Sequence, residues 1–200
     1  CEPSGKDWIK YMVRHYKDKK EIVLGVGLYK KKKGILNFLI RFDTAFIAMQ
    51  YISMARAGKP YMGVGRNLSY KKELFFDNRG FASHLKLESG DDDLFINEVS
   101  TKSNTVVENN PRSFTWSEPE TRFSDWVKQK KRHLTTGKFY QQSVKRKLGL
   151  EYLSRILLIL GLVMLLFRIE YILIPVIVYI INLIVKLIIN KLVFKGFNEK

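Results

Sequence analysis

The chain of 200 residues carries 35 basic against 19 acidic side chains, a formal net charge of +16, and 46% of its residues are hydrophobic. The five prolines and thirteen glycines exclude a collagen-like or low-complexity chain, and the apolar and aromatic content excludes a disordered one. A mean hydropathy of −0.14 is high for so basic a protein. Apolar residues must therefore be concentrated in one part of the chain.

The N-terminal part alternates helical and strand-like patterns. The apolar spacing of residues 5–17 predicts a helix with Ser4 as its N-cap, and residues 21–27 form a β-branched run typical of a buried strand. The lysine run 30–33 predicts a solvated loop near lipid headgroups. Residues 35–57 predict a long, mostly buried helix that ends at a Gly-Lys-Pro sequence.

The next hundred residues add shorter elements. The patterns predict a loop entering a strand at 61–70, a short helix at 71–76, a turn at 77–80, a helix at 91–102, strands at 105–107 and 113–116, and a helix at 121–133 capped by Thr121 or Ser124. Helices alternating with short strands indicate an α/β domain. The single cysteine excludes an intrachain disulfide, and three histidines make a structural zinc site unexpected.

The apolar residues are concentrated at the C-terminus, where residues 156–167 and 171–185 carry no charge. Residues 150–190 would form one helix of about 60 Å, twice the thickness of a bilayer core. The sequence at 168–170 predicts a break, and so a helical hairpin with spans at 149–167 and 171–190. Basic residues outside both spans predict a multi-pass inner-membrane protein whose N-terminal domain is cytoplasmic. An alternative is a first segment lying in the membrane interface, because it contains two charged residues.

Three consecutive carboxylates, Asp91, Asp92 and Asp93, follow Gly90 at a predicted junction between loop and helix. Mutual repulsion raises the pKa of at least one of them, as a general base or a cation site requires. Capping and the helix dipole also favour aspartate in a first turn. Both interpretations stay open at this point.

Two further motifs carry groups that could bind a ligand. Gln129, Arg132 and His133 share one helix face, where a guanidinium can bind phosphate and a ring can stack on a sugar. An ordinary basic helix beside a membrane has the same composition. In the Gly-Val-Gly-Arg-Asn sequence at 63–67, Arg66 offers a donor beside glycines that allow close backbone approach. The third glycine of a dinucleotide-binding loop is missing.

In this order, the glycine loop, the triple aspartate, the glutamine–arginine helix and two membrane helices resemble a family-2 glycosyltransferase of the processive type. The resemblance covers essentially the whole chain. It implies the C-terminal part of a GT-A catalytic domain at 1–147 and a transmembrane hairpin at 148–200. It also implies that the chain begins just after the family's Asp-x-Asp metal motif, because residues 1–9 resemble the segment on the C-terminal side of that motif, and that residues 194–200 end within a loop.

The resemblance also implies roles for individual residues. The catalytic base falls on Asp92, or on Asp91 if the register slips by one. Gln129 and Arg132 match the family's Gln-x-x-Arg-Trp element, which holds the diphosphate, and His133 stands where the family has Trp. The other residues expected to contact substrate are Gly65, Arg66, Asn67 and Asp93.

The implied function is inverting transfer of a hexose in polysaccharide biosynthesis, from a nucleotide-sugar donor to a saccharide or lipid-linked acceptor. The implied cofactor is a divalent cation, Mg²⁺ or Mn²⁺, with ligands mostly upstream of Cys1, so residues 1–200 alone are expected to be inactive. Membrane lipids are expected partners and nucleic acid is not. The alternative is a non-catalytic basic module, tethered to the membrane, that binds anionic lipid or nucleic acid. The two hypotheses differ in whether the aspartates and Arg132 share one cleft.

Overall fold

The computed structural model of the chain describes residues 1–17, 19–87, 89–167 and 173–197. These residues form two compact units, Cys1–Gln141 and Gln142–Lys200. The division lies at Gln141, whereas the sequence predicts a boundary after residue 147. The first unit mixes helices and short strands, which confirms the predicted α/β class.

The first unit contains six strands and five α-helices among the described residues. The strands are β1 (Glu2–Pro3), β2 (Ile22–Leu24), β3 (Gly27–Tyr29), β4 (Leu68–Tyr70), β5 (Thr105–Val107) and β6 (Thr115–Ser117). The helices are α1 (Trp8–Val13), α2 (Ile35–Arg56), α3 (Lys72–Asp77), α4 (Asp91–Val99) and α5 (Phe123–Leu134). Short 3-10 turns occupy Gly65–Asn67, Pro111–Ser113 and Thr136–Phe139.

The strands form two three-stranded sheets. One has the order β1-β6-β3, in which β6 is antiparallel to β1 and parallel to β3. The other has the order β4-β2-β5, in which β2 is antiparallel to β4 and parallel to β5. The central strand of the second sheet is fully buried, as its continuous β-branched run predicts.

The single strand predicted at 21–27 is wrong in one respect, because the chain changes sheets at Gly25. The side chain of Asn67 fills the space beside this glycine and donates a hydrogen bond of 2.8 Å to the carbonyl oxygen of Val26. A Cβ atom on Gly25 would lie only 2.5 Å from the Asn67 Cγ. The missing side chain therefore lets the amide separate β2 from β3.

Helix α2 matches the predicted bounds closely but is not mostly buried. One of its faces packs against β3 and β5, whereas another is exposed to solvent. The buried face includes Arg41 and Tyr51, and the Tyr51 hydroxyl donates to the carbonyl oxygen of Gly25 at 2.6 Å. The side chain of Asn37 accepts from the backbone N–H of Lys32 at 2.7 Å and so joins the start of α2 to the preceding lysine loop.

Helix α4 begins at the triple aspartate, as the sequence predicts, and ends at Val99, three residues early. Gly90 adopts a φ of 101°, a left-handed conformation that favours glycine. Phe95 is buried and anchors the helix in an aromatic cluster, with its ring centroid 4.9 Å from Tyr70 and 5.5 Å from Phe75. This packing holds the aspartates at the surface end of α4.

Both predicted helix caps are wrong. The Ser4 hydroxyl donates to the carbonyl oxygen of Phe114 at 2.8 Å, and α1 starts only at Trp8. Helix α5 starts after Arg122, and no side chain in the described residues at its start caps it. The predicted strand at 113–116 begins two residues later, because Pro111 starts a 3-10 turn. A proline lacks the N–H that a strand would use.

The second unit contains α6 (Gln142–Leu166) and α7 (Leu173–Gly196), which contact each other. Within the described ranges, three helices, these two and α2, are long and apolar enough to cross a membrane by length and composition alone. Helix α6 starts seven residues before the predicted span. The predicted break at 168–170 and the first two residues of the second span lie outside the described residues, as do residues 198–200 of the predicted terminal loop.

Candidate active site

A cavity of about 410 Å³ opens beside the first turn of α4. Asp91 and Asp92 line one side of it, and Gly65 of the glycine loop lines another. The sheet and the segment after α3 supply the remaining lining residues, which are Leu68, Ser69, Tyr70 and Phe81. Two motifs that lie far apart in the sequence therefore meet at one cavity.

The Asp92 carboxylate is held by two backbone groups. Its Oδ2 accepts the N–H of Gly65 at 2.5 Å, and its Oδ1 accepts the N–H of Asp93 at 2.8 Å. A Cβ atom on Gly65 would lie 3.0 Å from the Oδ2, so the glycine permits this close approach. Asp92 is half-buried and Asp91 is exposed. The carboxylate of Asp92 thus has a defined orientation at the cavity.

Asp93 points away from the cavity, into the protein. Its Oδ2 accepts the Tyr140 hydroxyl at 2.6 Å and lies 2.8 Å from the Thr136 hydroxyl, while its Oδ1 is buried without a hydrogen-bond partner among the described residues. Burial raises the pKa of Asp93, the bonds from Tyr140 and Thr136 oppose this, and the charge of Asp92 adds a smaller increase. Desolvation rather than crowding therefore perturbs the triple aspartate, at a residue other than the predicted base.

The end of α5 lies close to the start of α4. The Thr136 hydroxyl is 2.7 Å from the carbonyl oxygen of His133 as well as near Asp93, so it joins the two segments. The His133 side chain is exposed in part, yet desolvation lowers the pKa of its ring, whereas the carboxylates of Asp92 and Asp93 act in the opposite direction. The predicted base and the histidine of the third motif are therefore electrostatic neighbours.

Gln129 is connected to the glycine loop by Tyr29, which contacts both Gln129 and Arg66. Its Nε2 donates to the Tyr29 hydroxyl at 3.4 Å, and the guanidinium of Arg66 stacks 4.2 Å from the centre of the same ring. Lys130, next to Gln129, forms a 2.7 Å ion pair with Asp43 of α2 and fixes the helix on this side. Parts of all three motifs thus come together in the first unit.

Asn67 and Arg132, like Asp93, are predicted site residues that do not line the cavity. Asn67 is buried, and its amide donates to Val26 and Ser113 at 2.8 Å and accepts from the Trp8 indole at 3.1 Å. All the polar atoms of its side chain are therefore used inside the protein. Arg132 is exposed near the end of α5.

Sequence reasoning missed three residues that organise this region, namely Tyr29, Thr136 and Tyr140. Tyr29 ends a strand just before a lysine run, and its pattern there indicates only a strand residue. Thr136 and Tyr140 contact Asp93 across more than forty residues of sequence. No local periodicity indicates such a contact, and the only available signal is two hydroxyl-bearing residues directly after the third motif.

The described residues hold no cluster of ligands for the divalent cation that the sequence analysis expects, whose ligands are predicted to lie mostly upstream of Cys1. No three His, Cys, Asp or Glu side chains converge anywhere in the described part of the chain. Both oxygens of Asp92 already accept backbone N–H groups, and Asp93 is enclosed by hydroxyls. Asp91 and Asp92 are the carboxylates that line the cavity, and Mg²⁺ commonly uses one or two carboxylates together with water and substrate phosphates.

Residues 5–189 match the family model described as "Glycosyl transferase family group 2". Neither the curated proteins nor the solved structures include a match to this chain. The matched range takes in the glycine loop, the triple aspartate, the α5 motif, all of α6 and most of α7. The chain therefore belongs to glycosyltransferase family 2.

Proposed function

We propose that the protein is a membrane-anchored, inverting glycosyltransferase that moves a hexose from a nucleotide-sugar donor to a saccharide or lipid-linked acceptor. Membership of family 2 supports a glycosyl transfer role and implies both a donor and an acceptor. The observation that carries the assignment of the site is the meeting of Asp92 and Gly65 at one cavity, with His133 of α5 as an electrostatic neighbour of Asp92. In this proposal Cys1–Gln141 is part of a GT-A domain.

Asp92 acts as the base in this proposal. Its carboxylate takes the proton of the acceptor hydroxyl while the hydroxyl oxygen attacks the anomeric carbon, and the bond from that carbon to the diphosphate breaks on the opposite face. The two N–H groups that hold Asp92 keep it oriented before the acceptor arrives. Asp91 lines the same cavity and is the alternative base.

Gln129 and Arg132 bind the leaving diphosphate in this proposal. Charge-assisted bonds from a guanidinium to phosphate oxygens stabilise the negative charge that develops as the glycosidic bond to the donor breaks. Arg66 and His133 contribute positive charge and a ring surface near the same cavity, whereas Asn67 is retained only as a support for the loop. Family members commonly use a divalent cation, which supplies further charge neutralisation, and no step here depends on it.

The rival function is a non-catalytic basic module that binds polyanions. The positive surface of such a module would be weakened by carboxylates, yet Asp91 and Asp92 line the cavity beside Gly65. Arg132 is not among the residues that line this cavity, so the criterion of a shared cleft does not favour the enzyme. Family membership is what favours the enzyme over the module.

The test is hexose transfer by membranes that contain the full-length protein rather than residues 1–200 alone, which are expected to be inactive, supplied with radiolabelled UDP- and GDP-hexoses. We expect Asp92→Asn to abolish transfer without loss of membrane insertion, because the amide cannot take the acceptor proton. Asp91→Asn decides the register, and Asp77→Asn, an exposed aspartate at the end of α3, is the matched control. Full transfer by the Asp92→Asn protein would refute the assignment of the base.

A second experiment separates diphosphate binding from general charge. Arg132→Gln is expected to raise the KM for the donor and weaken inhibition by free nucleoside diphosphate by about 10- to 100-fold, since a charge-assisted bond contributes about 1.5–3 kcal/mol. Lys131→Gln removes the same charge from the neighbouring exposed position and serves as control. Equal effects of both variants would contradict a specific role of Arg132.

The proposed anchor is a hairpin of α6 and α7 with both outer ends in the cytoplasm. Helices of 25 and 24 residues exceed the roughly 20 residues that a span needs, and most of their apolar side chains are exposed. The substitution Ile169→Cys, in a chain without Cys1, tests the hairpin. If the cysteine at 169 is labelled only from the outside of the membrane, the hairpin is supported. If it is labelled only from the inside, an interfacial α6 is supported.

A further inference from the structure

Helix α2 has apolar side chains on the face that the domain leaves exposed. Its buried residues form one stripe against β3 and β5. Exposed residues recur at the helical spacing of three and four on a different side, with exposed fractions of 80% for Ile35, 62% for Phe38, 38% for Leu39 and 39% for Phe42. Two of these rings lie with centroids 6.2 Å apart. Packing of the first unit accounts for the buried stripe and not for this second one.

A basic segment directly precedes the exposed stripe. Residues 30–33 are four lysines, and all but the first are exposed. Lys30 and Lys32 are ion-paired with Glu118 at 3.1 and 2.5 Å, and Lys30 also with Glu2 at 2.6 Å. The four consecutive lysines therefore place a high density of positive charge next to the apolar residues.

We propose that lysines 30–33 and the exposed stripe Ile35, Phe38, Leu39 and Phe42 form a membrane-docking surface, which binds a bilayer that contains anionic lipid. Aromatic and aliphatic residues flanked by lysines are the composition of helices that lie in the headgroup region. Each lysine near an anionic surface strengthens such binding, and salt screens the attraction within a Debye length. The surface is a second membrane contact, separate from α6 and α7.

Charge favours a bilayer over a second copy of the chain as the occupant of this surface. The protein has a net charge of +16, and two such faces brought together would place the lysine runs of both copies side by side. An anionic bilayer instead offers phosphate groups to the lysines and hydrocarbon to the rings. The docking proposal depends on the proposed function in one respect, namely that the membrane anchor keeps the bilayer near this surface.

The test measures the depth of residue 38 in vesicles that contain the full chain. Cys1 is the only cysteine, so Cys1→Ser with Phe38→Cys gives a single site for a bimane label. The vesicles are phosphatidylcholine with or without phosphatidylglycerol, and a doxyl-labelled lipid is the quencher. We expect several-fold stronger quenching in the anionic vesicles than in the neutral ones, and a decrease at high salt.

Phe76 on α3 provides a matched control, since it is 63% exposed against 62% for Phe38. Phe76→Cys in the same background carries the same label and is expected to show weak quenching in both kinds of vesicle. Equal quenching at 38 and 76, or none at 38, overturns the proposal. Quenching at 38 that is independent of lipid charge also overturns it.

A charge variant tests the lysines directly. Lys31→Gln with Lys33→Gln is expected to lower the ratio of docked to undocked chains by about fivefold per lysine.

Protection of the label that rises with protein density, without lipid quenching, identifies a second copy instead and overturns the proposal. Extraction of the chain from vesicles by carbonate would contradict the anchor, whereas retention without quenching at 38 contradicts only the docking surface.

Discussion

The contact between Tyr140 and Asp93 makes a strong prediction about stability. Tyr140→Phe removes the hydroxyl that donates 2.6 Å to Asp93 Oδ2, while Asp93 Oδ1 is already buried without a partner among the described residues. A hydrogen bond to a charged group contributes about 1.5–3 kcal/mol. We therefore expect Tyr140→Phe to lower the free energy of unfolding of the first unit by about 2 kcal/mol.

The assay is urea unfolding of the full chain in detergent, followed by tryptophan fluorescence. All three tryptophans, at positions 8, 116 and 126, lie in the first unit, so their emission reports on that unit. A loss of about 2 kcal/mol lowers the urea midpoint by about 1 M for a slope near 2 kcal/mol/M. Tyr11→Phe, whose hydroxyl accepts only a 3.5 Å contact from Arg112, is the control.

A double-mutant cycle with Asp93→Asn isolates the charge. In the asparagine background the bond from Tyr140 becomes neutral, so its loss is expected to cost about 1 kcal/mol, and the coupling free energy is about 1 kcal/mol. Burial raises the pKa of Asp93, so at a pH between the usual aspartate pKa and the raised one the folded state holds a proton that the unfolded state has released. The wild type therefore loses stability relative to Asp93→Asn as the pH rises from the usual aspartate range through the raised pKa. An equal cost of Tyr140→Phe in both backgrounds, or no change of this difference with pH, would refute the reasoning.

Three further predictions concern other parts of the first unit. His133→Trp restores the aromatic ring of the family pattern and is expected to change the KM for the acceptor and not for the donor, as measured by transfer kinetics. Glu108 is buried beside Arg14, and although burial alone would raise its pKa, hydrogen bonds and the guanidinium outweigh this effect and lower the pKa. The stability that the Glu108 carboxylate contributes is therefore expected to disappear as the pH falls through the lowered pKa. Glu108→Gln is expected to weaken the dependence of the urea midpoint on pH in this acid range. Gly25→Ala places a Cβ atom 2.5 Å from Asn67 Cγ and is expected to destabilise the unit by about 1–3 kcal/mol, whereas an unchanged midpoint would contradict the tight contact.

The sequence predicts those elements of the fold that depend on local patterns. Helix α4 begins at Asp91 as expected, because a glycine, three acidic residues and a buried apolar run coincide there. The strand predicted at 21–27 is interrupted instead, because Asn67, forty residues away, occupies the space beside Gly25. Ser4 forms a tertiary bond to Phe114 in place of a cap. Such contacts depend on three-dimensional proximity, which periodicity does not contain.

The candidate site shows the same division. The resemblance to family 2 identifies Asp92 and the α5 motif, and residues 5–189 match the family model. The roles assigned to single residues stay predictions. Neither the enclosure of Asp93 by hydroxyls nor the position of Tyr29 between Arg66 and Gln129 follows from any motif. Both arise from the packing of segments that are distant in sequence.

The buried amide of Asn67 has a consequence for ligand binding. It bonds to the segments that contain Trp8, Val26 and Ser113, and so it holds the glycine loop to three separate parts of the domain. The conformational entropy of ordering this loop is lost when the protein folds rather than when a ligand arrives. A substrate that contacts Gly65 or Arg66 meets a preorganised surface, so more of its interaction energy remains for affinity and for discrimination between sugars.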